Sequence, residues 1–223
     1  PALRAAFPCV VDTSTGVETD VSVTGQVGDT MVCALTGPSD NIAITATDDG
    51  DGGSNWWVTD MDTSGPTSAP GTYSPRTVVL STLHAARTFT TVRIIHPYNS
   101  PYAVCCAAFG NVLARDTTDR DIMASGLGVA PTTSGEAIPM TRTRANSLRI
   151  GVVGIQGDTG IGINLQAPLQ SVSSTATSGQ PNAKGVSLGY QVLSARGTDG
   201  ITAMLTGTSG IDWTALSVVL EGQ

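Results

Sequence analysis

The densest group of side chains able to do chemistry is acidic. Asp48, Asp49 and Asp51 stand with Asn55 in Thr47-Asp-Asp-Gly-Asp-Gly-Gly-Ser-Asn55, and Asp60 and Asp62 follow closely. Hard carboxylate oxygens at this density are the ligands that Ca²⁺ takes. The spacing does not complete an EF-hand loop, because the closing glutamate is missing and the flanking sequence reads as strand. Asp-Gly and Gly-Gly steps are also what a tight turn requires, since glycine supplies positive φ. A turn is the expected role of this segment. Asp48, Asp49 and Asp51 are the calcium candidates, and no other cofactor is expected.

Aromatic residues follow the acidic loop directly. Trp56 and Trp57 are adjacent, so on a strand they point to opposite faces and one of them belongs to the core. The other is then an exposed platform for a sugar ring or a partner subunit, or is covered by a loop of its own chain. Asn55 offers a polar neighbour to such a platform. Tyr98 and Tyr102 flank an expected turn at Asn99-Ser-Pro101 and could extend the same surface.

Catalysis is not expected. There is no Gly-x-Ser-x-Gly elbow. His84 lies in an apolar run and reads as structural; His96 precedes Pro97 at a strand end. Either histidine can meet an aspartate in space, which two histidines among eighteen carboxylates make unremarkable. A glycosidase needs two carboxylates across a cleft, and Glu18, Glu136 and Glu221 sit in no convincing strand interior. Asp158-Thr-Gly160 echoes an aspartic protease motif, but a single occurrence in a Gly/Thr-rich chain reads as a turn.

The four cysteines, Cys9, Cys33, Cys105 and Cys106, contain no C-x-x-C pair, which argues against zinc. Cys33, Cys105 and Cys106 lie in apolar strand contexts where cysteine serves as a small hydrophobe. Buried, reduced thiols are the expected state. A Cys9–Cys33 disulfide is the alternative, and sequence does not decide the pairing.

Composition narrows the partners. Hydrophobic residues make up 40% of the 223-residue chain, enough for a substantial core. Charged residues make up only 13%, against roughly 25% in an average domain. Such a Thr/Ser/Gly-rich surface suits packing against neighbours or hydrogen bonding to sugars. The net charge is −7 and Lys184 is the only lysine, so the basic stripe that nucleic acid requires is missing. Arg142, Arg144 and Arg149 form the densest basic spot and are expected at the surface. No apolar run is long enough for a transmembrane helix, so membrane insertion is not expected. The start lacks a signal peptide's apolar region, which fits synthesis without Sec export; a mature fragment begins the same way.

These groups must be positioned by strands. Short runs of Val, Ile, Thr and Leu bounded by Gly, Asp, Asn and Pro recur along the chain, and helix signals are nearly absent. Val21 and Val23 share one face, as do Ile42 and Ile44, and Val92 and Ile94 oppose Arg93. Ala103–Phe109, Leu148–Val153 and Trp213–Leu220 are apolar throughout, as suits central strands covered on both faces. Val79–Arg87 is read as strand. The terminal strands, Ala5–Val11 and Trp213–Leu220, are candidates to pair with one another. Residues 47–55, 62–73 and 170–182 read as loops. The expectation is ten to twelve strands in one all-β domain over residues 1–223, an antiparallel β-sandwich of jelly-roll or concanavalin-like type. No repeat of fixed period is visible.

Taken in order, Gly28-Asp-Thr-Met-Val-Cys-Ala-Leu35, the run from Ile44 to Trp56, Thr90-Thr-Val-Arg-Ile94, Ala107-Ala-Phe109, Ser147-Leu-Arg-Ile-Gly-Val-Val-Gly154 and Trp213-Thr-Ala-Leu-Ser-Val-Val-Leu220 form a pattern. From about Gly25 onward it resembles the jelly-roll sandwich proteins of tailed-phage virions, labelled minor tail or minor structural proteins. The excess of Arg over Lys and the abundant Ala, Gly and Thr fit a GC-rich genome such as that of an actinobacterial phage. The resemblance implies a bacteriophage virion protein, a minor tail or tail-tip component, assembled in the host cytoplasm. It would be homo-oligomeric, with a trimer favoured, and would contact other virion proteins and a host-surface glycan. A capsid decoration protein and a carbohydrate-binding module are the alternatives. The resemblance carries over no catalytic residue.

Overall fold

The computed structural model describes residues 1–13, 16–38, 42–64, 75–96, 101–115, 122–129, 146–157, 160–176, 183–194, 201–206 and 211–222. Its described elements are all strands. The first half of the chain supplies β1 (Ala2–Ala6), β2 (Val10–Asp12), β3 (Glu18–Gly25), β4 (Thr30–Pro38), β5 (Thr45–Asp48), β6 (Val58–Ser64), β7 (Pro75–Thr82), β8 (Phe89–Ile95) and β9 (Tyr102–Gly110). The second half supplies β10 (Val112–Arg115), β11 (Ile122–Val129), β12 (Ser147–Gly157), β13 (Gly162–Leu165), β14 (Gln170–Ala176), β15 (Ala183–Leu193), β16 (Ala203–Thr206) and β17 (Ile211–Gly222). Every strand pair among the described residues is antiparallel. The chain is thus an all-β sandwich, with more strands than the ten to twelve expected.

Four sheets stack in layers. A three-stranded outer sheet, β3-β8-β5, covers a six-stranded sheet ordered β1-β9-β4-β7-β6, to which β2 adds beside β9. A second six-stranded sheet follows, ordered β10-β17-β12-β15-β14 with β11 beside β17, and the β13-β16 pair covers its far side. Three apolar cores fill the gaps between layers. Alternation explains how one strand feeds two of them. Val104, Cys106 and Ala108 of β9 face the first core, and Ala103, Cys105, Ala107 and Phe109 face the second. The runs that read as apolar throughout are therefore the strands of the two middle sheets, covered on both faces. The outer strand β3 alternates strictly, with Val21 and Val23 inward and Asp20 and Ser22 in solvent.

The two halves repeat one topology, which no fixed sequence period announces. β1 and β2 pair the last strand of the first half, as β10 and β11 pair the last strand of the second. The chains β9-β4-β7-β6 and β17-β12-β15-β14 match pair for pair, and β5-β8 matches β13-β16. A β-bulge interrupts β6 between Thr59 and Met61 and β14 between Ser171 and Ser173. Positive φ precedes β4 at Gly28 and β12 at Asn146. The stretch that would match β3 lies outside the described residues. The middle sheets meet through the second core, where a buried hydroxyl chain joins Thr36 to Thr77 (3.0 Å) and Thr77 to Thr214 (2.6 Å). A Cβ on Gly154 would stand 1.9 Å from the Thr77 Oγ1, so only glycine admits this contact.

Several expectations are corrected. The cysteines are not reduced thiols, nor is Cys9 bonded to Cys33: the disulfides are Cys9–Cys105 and Cys33–Cys106. Successive residues of β9 face opposite layers, so Cys105 and Cys106 must take different partners. Cys33 lies directly opposite Cys106 on the neighbouring strand. The terminal strands do not pair with each other; β1 lies against β9 and β17 against β10, β11 and β12. Ile42 is exposed while Ile44 is buried, because the strand begins only at Thr45. Arg149 is fully buried on β12 and donates to Ser217 Oγ at 2.9 Å, so it is no surface residue. Val79–Arg87 is strand only to Thr82; the chain then turns through His84 at φ 49°. Residues 170–176 are β14 rather than loop. Arg142 and Arg144 lie outside the described residues.

Candidate functional site

The Asp48–Trp57 loop crosses from the outer sheet to the edge of the middle sheet. It is organised by one carboxylate at the end of β5. Asp48 accepts hydrogen bonds from the backbone N–H of Gly50 (3.0 Å) and of Asn55 (3.1 Å), from Asn55 Nδ2 (3.2 Å) and from the indole Nε1 of Trp57 (2.6 Å). Its own N–H donates to Ser54 Oγ at 3.0 Å. Gly52 and Gly53 turn the tip at φ 79° and 134°, a conformation that glycine adopts without a Cβ penalty. Asn55 then docks on the backbone of Arg87, accepting from its N–H (3.1 Å) and donating to its carbonyl (3.4 Å).

Asp49 ties the loop to β8. It accepts from Thr90 Oγ1 (2.6 Å), Thr90 N–H (2.7 Å) and Thr91 N–H (2.8 Å). The Thr90 hydroxyl foremost, with these amides, holds its carboxyl down at about 2, against an opposing desolvation cost. Neither carboxylate is left to converge with another on a cation. Among the described residues no group of three His, Cys, Asp or Glu side chains is arranged to hold a metal. The calcium reading does not fit this donor set: Asp48 and Asp49 act as caps, and Asp51 lies exposed at the turn.

The two tryptophans separate, although they precede β6 rather than lying on it. Trp57 packs against the first core, its ring edge-on to Phe89 at 6.3 Å and 76°. Trp56 is 83% exposed. Asn55 is buried and consumed by Asp48 and Arg87, so it does not serve as a polar neighbour at the surface. Tyr102 is fully buried and stacked on His96 at 3.9 Å, so it is not part of any surface platform. Tyr98 lies outside the described residues.

Beside the loop a depression of about 240 Å³ is lined by Asp20, Thr47, Asp48, Asp49, Thr91 and Arg93. Arg93 pairs bidentately with Asp20 (2.8 and 3.0 Å) and reaches Glu18 at 3.4 Å. The Asp20 hydrogen bond, then the charges of Asp20 and Glu18, raise the guanidinium's pKa further. The sequence pattern marked Arg93 as solvent-facing. It gave no sign that Asp20, Thr91 and Asp49 would gather beside it, because those contacts span up to seventy-three positions.

His96 Nε2 meets Thr19 Oγ1 at 2.9 Å in a buried setting, and that hydroxyl donates to the half-buried Asp12 at 2.8 Å. His84 is exposed, with Nε2 2.9 Å from the Leu113 carbonyl oxygen. No family model, curated protein or solved structure matches the chain.

Proposed function

We propose that this chain is a structural component of a bacteriophage virion, a minor tail or tail-tip subunit, whose first half presents the Asp48–Trp57 loop to a host-surface glycan. The observation that carries the reading is Trp56, a large aromatic face left 83% in solvent by a loop whose other polar groups are tied down. A partner that covers this aromatic face gains the free energy of removing it from water. An exposed indole face matches a sugar ring, which has one apolar face and a rim of hydroxyls, and the polar depression lined by Thr47, Asp49, Thr91 and Arg93 borders the same loop at Asp48.

The frame supports the same reading. In the first half we read the order β2-β9-β4-β7 against β3-β8-β5 as jelly-roll winding, an architecture common to viral capsid and lectin domains. Two disulfides suit a protein that works outside a reducing cytoplasm, cross-linking after release or export. Light scattering on the purified chain tests the virion-subunit part, a closed homo-oligomer such as a trimer being expected. Adsorption to host cells, or retention on host-surface polysaccharide, tests the glycan part. Trp56→Ala is expected to abolish retention, and retention equal to the parent would overturn it.

A further inference from the structure

Three side chains form a row across the central strands of the second six-stranded sheet, near one end of those strands. Gln156 of β12 lies directly opposite Lys184 of β15 on one side and directly opposite Asp212 of β17 on the other. Equal register puts all three on one face of the sheet. That face looks into the second core, since the flanking Val186 and Thr214 contact the opposing middle sheet's side of the stack. All three are buried, at 4%, 2% and 3% exposure. The Lys184 amine meets the side-chain carbonyl oxygen of Gln156.

The chain spends its only lysine here, in a place where a charged ammonium is costly to hold. Desolvation pushes the Lys184 pKa down to about 7, against the opposing charge of Asp212. A desolvated amine with a substantial neutral fraction near pH 7, held against a carboxamide, is a nucleophile beside an acyl group. A carboxylate on the far flank of that acyl group is placed to move the proton. A structural ion pair alone would need no amide between its members.

We propose that Lys184 and Gln156 join in an intramolecular isopeptide bond, with Asp212 carrying the proton. The neutral Nζ adds its lone pair to Cδ of Gln156, forming the Nζ–Cδ bond and placing negative charge on Oε1. The Asp212 carboxylate takes a proton from the new ammonium and delivers it to Nε2. The carbonyl re-forms as the Cδ–Nε2 bond breaks, and ammonia leaves. The products are a secondary amide and one ammonia, Asp212 ends as it began, and no oxidant or co-reactant enters. The bond would staple β12 to β15 inside the second half, which carries no disulfide. This inference stands independently of glycan binding and of virion membership.

Mass spectrometry of the purified, folded chain tests it. The expected result is a mass one ammonia below that of the disulfide-bonded sequence, and, after digestion, a branched peptide joining the segments that contain Lys184 and Gln156. Two separate linear peptides with an unmodified Lys184 amine would overturn the proposal. Loss of water instead of ammonia, with a branch to Asp212, would overturn Gln156 as the acyl donor. Asp212→Asn, checked for native circular dichroism, is expected to keep its ammonia, and a folded variant that still loses it would remove Asp212 from the reaction. The parent measurement needs no variant, so a misfolded mutant leaves the main test intact.

Discussion

The two halves of the chain share one weave and are held together differently. Matching the residues that look into each half's own core sets Cys33 and Cys106 of the first half against Gly151 and Ser217 of the second, directly opposed in both cases. The first half fills that place with a disulfide. The second leaves it small, and Leu169 occupies the space: a Cβ on Gly151 would come within 2.5 Å of the Leu169 side chain. Leu169 arrives from residues 166–169, the short link between β13 and the bulged start of β14. The corresponding link in the first half is residues 49–57, the longer loop that carries Trp56. Where one half uses its link to complete its core, the other packs Trp57 of its link on the core, turns Trp56 to the surface and secures the core covalently.

The largest effect should come from the staple. Cys33→Ala with Cys106→Ala opens a cross-link spanning 73 positions and is expected to cost about 4 kcal/mol by loop-closure entropy. Chemical denaturation of the purified chain reads it as a lower midpoint. Adding reductant should lower the parent's midpoint in the same way and leave this variant changed only through Cys9–Cys105. If reductant shifts neither, the halves are not distinguished by their disulfides.

The second half has its own weak point, and the comparison predicts where. Leu169→Ala removes the side chain that substitutes for the staple, at an expected cost of about 3 kcal/mol for a buried leucine that leaves a cavity beside Gly151. Restoring volume from the other side, with Gly151→Ala in the Leu169→Ala background, should recover part of that loss. Additive damage in the double variant would mean that the two positions do not share a space.

How much of this was legible follows from the range of each contact. Alternation in Val21/Val23 and Val92/Ile94 is local, and the continuous apolar runs marked the twice-covered strands correctly. The repeat was not legible, because equivalence lives in which strands pair, and Cys33 matches Gly151 in place while sharing no chemistry with it. The disulfides were not legible: the apolar contexts read as reduced thiols with Cys9–Cys33 as the alternative, and the pairs Cys9–Cys105 and Cys33–Cys106 follow only from the sheet register. Buried Arg149 and Lys184 ran against composition, which sends charge to the surface unless a distant partner waits inside. At the loop, the turn role of Asp48 was written in its glycines. The loss of Asn55 to Arg87 was not, because that contact closes over thirty-two positions.

A smaller effect tests whether the longer loop is rigid. Asp49 has its pKa depressed in the folded chain, to about 2 from 3.8. The folded state therefore binds its proton later than the unfolded state does. Its stabilising contribution is complete above about pH 4 and is lost as the pH falls through about 2. The carboxylate is solvent-exposed, so screening keeps the contribution under about 1 kcal/mol. Asp49→Asn should flatten the acid limb of stability between those values, and an unchanged acid limb would mean that the Thr90 and Thr91 hydrogen bonds do not hold the loop in solution.

The smallest effect on stability is expected where the effect on binding is greatest. Trp56→Ala removes a side chain that makes no core contact and should leave stability within about 0.5 kcal/mol of the parent. Trp57→Ala, one residue on, loses the Phe89 contact and the hydrogen bond to Asp48, and should cost on the order of 2 kcal/mol. Exchanging residues 49–57 for the second half's 166–169 sharpens the contrast further. The exchanged link would bring a leucine toward a place already filled by Cys33–Cys106, so the exchange is best made with both cysteines replaced by the Gly151 and Ser217 types. A chain so altered that folds and loses glycan retention would show that the weave carries the stability and the longer link carries the function. A chain that folds and still retains glycan would move the binding surface off the loop and onto the sheet face around Arg93.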